Sequence, residues 1–224
     1  VVDRARAEIW RWPSPSAAPE LWWSLLTTPI DSASPEGGPT PAPLGRPAPT
    51  GIAYDPSTDA LVVTDPDSNT IVRIPRDRSA AQIVFRSLDT RFPPGLDGIV
   101  VAPDGTLYVT TLDQKGLARV SSPTELTYIS GGFRGPSDLA FTPDGRLIVA
   151  NFDSAALVQP GITGPARQIL RLRQASGMDD LAIDDEARRR HDAVARDHRE
   201  VGVGGQPGGH RSEDPQPGHR VGRQ

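Results

Sequence analysis

The chain has 224 residues, of which 36% are hydrophobic and 23% charged, with a formal charge of −4 and no cysteine. That balance suits a soluble globular chain, excludes disulfides, thiolate metal sites and a cysteine nucleophile, and gives no reason to expect nucleic acid as a partner. No apolar stretch approaches the roughly 18 residues of a membrane span, so no membrane association is expected, and the first residues lack the apolar core of a secretory signal.

In chain order, the first segment is half of a unit that recurs later. Ala7-Glu8-Ile9-Trp10-Arg11-Trp12-Pro13 parallels Asn69-Thr70-Ile71-Val72-Arg73-Ile74-Pro75, and Ser24-Leu25 parallels Ser87-Leu88. Residues 1–30 are therefore expected to form the outer strands of a partial blade. Residues 31–49 are rich in Pro, Gly, Ser and Ala and read as a connecting loop.

From there one phrase occurs four times, as Pro49-Thr50-Gly51-Ile52, Leu96-Asp97-Gly98-Ile99, Pro136-Ser137-Asp138-Leu139 and Met178-Asp179-Asp180-Leu181. The spacings between Ile52, Ile99, Leu139 and Leu181 are 47, 40 and 42 residues, close to the roughly 40–45 residues of a propeller blade. In the second copy an apolar run (Ile99-Val100-Val101) meets the turn Pro103-Asp104-Gly105, and a second run follows at Leu107-Tyr108-Val109. This is a strand, a tight turn and a strand. The first and third copies repeat it at Ile52 to Val63 and Leu139 to Val149, while Thr70 to Ile74 and Gln82 to Phe85 supply two further strands. Runs this continuously apolar suit strands covered on both faces. The predicted fold class is all-β, a β-propeller of four-stranded antiparallel blades of the six-bladed type, incomplete in this chain, with the blades in residues 50–186.

The fourth copy runs to Glu186, where Ala187-Arg188-Arg189-Arg190-His191 replaces the expected turn and strand. Residues 187–224 are rich in Arg, Gly, Pro and His and hold all four histidines. Such a composition does not bury enough apolar surface to offset ordering entropy. A disordered tail and a shifted reading frame both account for it. A one-base shift at Arg188 to Asp192 permits Val-Val-Val-Thr-Thr, similar to Tyr108-Val109-Thr110-Thr111.

On these residues the chain resembles the regucalcin/gluconolactonase group and the NHL-repeat propellers. The NHL likeness rests on Thr50 to Asp55, Leu61-Val62-Val63-Thr64-Asp65 and Asn69 to Ile74, and the lactonase likeness on Asp97-Gly98-Ile99 with Asp104-Gly105-Thr106-Leu107-Tyr108-Val109. The resemblance implies that side chains just before the innermost strands converge at one mouth of a central channel and hold a divalent cation, Ca²⁺ foremost, with Zn²⁺ and Mn²⁺ as the other candidates. Oxygen ligands from several blades make a hard-ligand cage that needs no histidine. Carried over, the ligand positions are Thr50, Asp97, Ser137 and Asp179, with Asp138 and Asp180 beside the last two, and Asp97 is the candidate catalytic base.

The implied activity is hydrolysis of a sugar lactone or related cyclic ester. A non-catalytic binding or sensor propeller is the other reading, with a small molecule at the mouth or a protein partner. Thr50 and Ser137, where the family has charged or amide ligands, favour the latter. From the residues alone, Asp97 is either a channel ligand or a cap on its own turn. Asp104 and Asp144 read as turn residues, Asp65 and Asp113 as rim turns, and the four tryptophans as packing between sheets. The default compartment is the cytoplasm, or a secreted or periplasmic one if a signal precedes the sequence.

Overall fold

The computed structural model describes residues 1–26, 30–31, 46–79, 81–160 and 167–171, with Met178 and Leu181. The pair Asp179-Asp180 and the segment from 187 onward lie outside the described residues. All regular structure in the described part is β-strand.

The first sheet has three strands in the order β1 (Val2–Asp3), β2 (Glu8–Arg11) and β3 (Glu20–Ser24). Next come β4 (Ile30–Asp31), β5 (Ile52–Asp55), β6 (Ala60–Asp65), β7 (Thr70–Pro75) and β8 (Ala81–Arg86), in one five-stranded sheet ordered β4-β8-β7-β6-β5. The third sheet is the meander β9 (Leu96–Val101), β10 (Leu107–Thr111), β11 (Gly116–Ser122) and β12 (Glu125–Gly131), and the fourth is β13 (Pro136–Phe141), β14 (Leu147–Asn151), β15 (Ala156–Gln159) and β16 (Arg167–Arg171). Each complete repeat has thus become one antiparallel four-stranded blade. Two short strands left no mark in the sequence: β1, and β4, which pairs parallel with β8 through Ile30–Ala81 and Asp31–Gln82. A two-residue pairing is too short to show a period.

The turns follow from local chemistry. Asp104 Oδ1 accepts the Thr106 N–H at 2.9 Å, and Gly105 takes φ +83. Asp55 does the same more thoroughly at the β5–β6 turn, accepting from the Ser57 N–H at 3.0 Å and the Ser57 and Thr58 hydroxyls at 2.6 and 2.8 Å. Asp65 caps the next turn through the N–H groups of Asp67 and Ser68, the rim role expected of it.

The core consists of seams between sheets. Ile9, Trp23 and Leu25 pack with Val63, Val72 and Ile74 in the first; Val62, Ile71 and Phe85 pack with Leu96, Ile99 and Val109 in the second; Leu117 and Phe133 pack with Leu139, Val149 and Val158 in the third. The second strand of each blade is therefore buried on both faces, as its continuous apolar run requires. Tyr108 and Phe141 add an edge-on ring contact across the third seam, centroids 5.7 Å apart. Trp22 and Trp23 are buried as expected, whereas Trp12 is 47% exposed.

Candidate functional site

Strand β9 lies between β5 and β13, so the innermost strands of three blades run side by side. Their leading residues, Thr50-Gly51, Asp97-Gly98 and Ser137-Asp138, line one cleft of about 490 Å³. The variable pair of the repeated phrase therefore converges at one mouth. Rim residues complete the cleft: Val2 from β1, Arg4 from the β1–β2 turn, Leu112 from the β10–β11 turn, and Phe152 and Asp153 from the β14–β15 turn.

The pairs are constrained by how closely the inner strands approach. A Cβ on Gly51 would stand 2.3 Å from the Asp97 carbonyl oxygen, and one on Gly98 would stand 2.6 Å from Asp138 Cα and the Ser137 carbonyl oxygen. Only glycine fits against a neighbouring backbone at those distances. Asp138 occupies the same place in the next blade, and its Oδ2 accepts the Leu181 N–H at 2.8 Å, tying the fourth phrase to the third blade.

The hydroxyls at the mouth also join blades. Thr50 Oγ1 lies 3.2 Å from Thr64 Oγ1 and 3.5 Å from the Leu96 carbonyl oxygen. Ser137 is 4% exposed, and its hydroxyl lies 2.6 Å from the Met178 carbonyl oxygen and 3.3 Å from that of Ala150. Both sit in the seams rather than presenting an open oxygen. Asp97 and Asp138 are half-buried and Asp153 is exposed, and all three residues line the cleft. Arg4, the basic side chain lining it, is paired with Asp67 at 3.0 Å. The acidic balance favours a cation or a hydrogen-bond donor as occupant. Leu112 and Phe152, 43% and 44% exposed, give the rim an apolar side.

As a cation site, the residues fit in part. Asp97 and Asp138 are hard oxygen donors at one cleft, whereas the hydroxyls of Thr50 and Ser137 are hydrogen-bonded within the seams, and Asp179 and Asp180 lie outside the described residues. Among the described residues, no three His, Cys, Asp or Glu side chains gather to hold a metal ion. The sequence reading reaches Asp138 as the neighbour of Ser137 but not its bond to the fourth phrase, and it does not single out the rim residues or the threonines Thr64 and Thr110. The threonines carry a readable signal, since each follows a valine in the second strand of its repeat.

No protein-family model and no curated protein sequence matches the chain. Among solved structures, virginiamycin B lyase from Staphylococcus aureus, a catalytically inactive variant with quinupristin, superposes with a TM-score of 0.53 at 16% identity, over 77% of this chain and 51% of that one. The chain thus spans about half the length of that lyase. A candidate gluconolactonase matches with a TM-score of 0.53 at 15% identity, over 82% of this chain and 67% of that one. A chain of the nidogen/laminin complex matches with a TM-score of 0.54 at 15% identity, over 65% and 62%.

The fold is a β-propeller.

Identities this low establish the architecture alone, and a lyase, a candidate lactonase and a nidogen/laminin complex among the neighbours show how many roles it accommodates. In this propeller, chemistry has to be argued from the mouth.

Proposed function

We propose that this chain is a ligand-binding propeller whose mouth, bordered by Asp97, Asp138 and Asp153, takes a small polar molecule. The observation that carries the reading is the convergence of three blades' variable pairs on one cleft of about 490 Å³, a size within the usual range for small-molecule sites. Carboxylates on one side and the exposed Leu112 and Phe152 on the other suit a ligand with a polar head and an apolar flank.

A second reading, hydrolysis of a sugar lactone or related cyclic ester, is favoured by Asp97 and Asp138 as oxygen donors at the same cleft. They would hold a divalent cation, Ca²⁺, Zn²⁺ or Mn²⁺, which when bound polarises a lactone carbonyl. Asp97 would then border the attacking water as base.

The two readings separate in one experiment. Thermal shift is measured with sugar lactones, their ring-opened acids and quinupristin, each with and without Ca²⁺, Zn²⁺ or Mn²⁺, alongside an assay for acid release. Binding lost in Asp97→Asn without acid release supports the binding reading. Metal-dependent acid release abolished by Asp97→Asn supports the hydrolase, and no response to any combination sinks both.

A further inference from the structure

We propose that Thr64 and Thr110 are positioning residues for the mouth, acting through one hydrogen-bonded relay that runs from blade to blade and holds the Asp97–Gly98 peptide at both ends. The proposal rests on the mouth being the ligand site, and deepens that reading by naming what aims Asp97.

The relay begins at the Gly51 N–H, which donates to Thr64 Oγ1 at 2.8 Å. The Thr64 hydroxyl in turn donates to the Asp97 carbonyl oxygen of the next blade. On the far side of the same peptide, the Gly98 N–H donates to Thr110 Oγ1 at 2.8 Å, and the Thr110 hydroxyl donates to the Ser137 carbonyl oxygen one blade further on, at 2.9 Å. Each threonine thus accepts from its own blade's inner strand and donates to the next blade's. Both are fully buried, so water does not compete for these bonds.

In the third such place stands Ala150, which has no hydroxyl, and the link is made from the inner strand instead, by Ser137 Oγ to the Met178 carbonyl at 2.6 Å. The connection persists where the residue supplying it has changed, which marks the link itself as the recurrent feature. A peptide fixed at its C=O by one blade and at its N–H by another has no freedom to rotate. The Asp97 side chain, carried on the residue at the head of that peptide, thus starts from a fixed backbone position at the cleft. Hydrogen bonds linked donor to acceptor through peptides and hydroxyls also polarise one another, so a change at one threonine is felt in the adjacent blade.

The test uses ¹⁵N,¹³C-labelled full-length protein. Thr110→Val removes the hydroxyl with little change of shape. It is expected to move the Gly98 amide proton upfield, to move the Gly51 amide proton one blade away in the same sense, and to shift the Asp97 carboxyl carbon. Thr110→Ser restores all three signals. Thr64→Val probes the relay from its other end and is expected to move the Gly98 amide. With Ca²⁺ as the probe, either valine variant weakens binding about fivefold, the effect of one hydrogen bond of about 1 kcal/mol, and the serine variants recover it. Gly51 and Asp97 signals that stay at their wild-type positions in Thr110→Val overturn the proposal. If the wild type takes up no Ca²⁺, the cation form of the mouth reading fails, while the amide and carboxyl signals still decide the relay.

Discussion

Asp55 shows what a single side chain does in this fold. It is 1% exposed, accepts from Ser57 and Thr58, and lies 3.2 Å from Arg73 Nη2. Burial alone pushes its carboxyl up, but the bonds from Ser57 and Thr58 and the Arg73 charge outweigh it and hold the carboxyl below the ordinary Asp value. A carboxyl lowered by folding contributes stability that is full above its unfolded value, about pH 3.9, and is lost as pH falls through the lower folded value. Asp55→Ala is therefore expected to lose about 2–3 kcal/mol at pH 7. Urea titrations of the two proteins should converge as pH drops below about 4. A gap that persists unchanged at low pH would show that the carboxylate charge is not what stabilises the turn. The sequence places Asp55 at the end of the repeated phrase, just before a turn, but its partner Arg73 lies two strands away and is visible only in the fold.

At the scale of the element, one backbone device recurs at the corresponding turn of every sheet, just before β2, β7, β11 and β15. Ala7 (φ 55), Asn69 (φ 49), Lys115 (φ 50) and Ala155 (φ 45) are all left-handed. Asn tolerates that region, while alanine does so at a cost of about 1 kcal/mol. Ala155→Gly is expected to raise stability by about 0.5 kcal/mol, after the added freedom of the unfolded chain offsets part of the relief. A lower thermal midpoint for Ala155→Gly would refute strain at this turn. The repeats align these positions in the sequence, yet three different residue types occupy them, so residue identity gives no hint of a shared conformation. Strand placement is the reverse case. The phrase and its apolar runs locate the first two strands of each complete blade, because a run that recurs on either side of a proline-containing turn, at Pro56, Pro103 and Pro143, has few alternatives.

At the scale of the whole molecule, the core of the described residues rests on three seams, each built from two sheets. Phe85, 1% exposed, belongs to the second of them with Ile71 and Leu96. Phe85→Ala is expected to destabilise by about 3–5 kcal/mol. Because the second and third sheets are each shared by two seams, the loss should appear at the same denaturant midpoint in circular dichroism and in tryptophan fluorescence, whose four sources, Trp10, Trp12, Trp22 and Trp23, all precede the second sheet and include two in the first seam. Separate midpoints would mean that the blades unfold independently, as weakly coupled repeats do.

By itself the sequence determined the class of fold, the repeat length, the turns and the candidate mouth residues, because all of these follow from periods and local chemistry within about 45 residues. It did not reveal that Gly51 and Gly98 are small because the next blade's backbone leaves no room, that Ser137 and Thr50 give their hydroxyls to the seams, or that Thr64 and Thr110 bracket Asp97. The hydrogen bonds between blades among these join residues 27 to 46 positions apart in the chain. Only tertiary structure decides them, because a strand's sequence specifies its own apolar faces, whereas the distance to the neighbouring inner strand depends on how the sheets pack against one another.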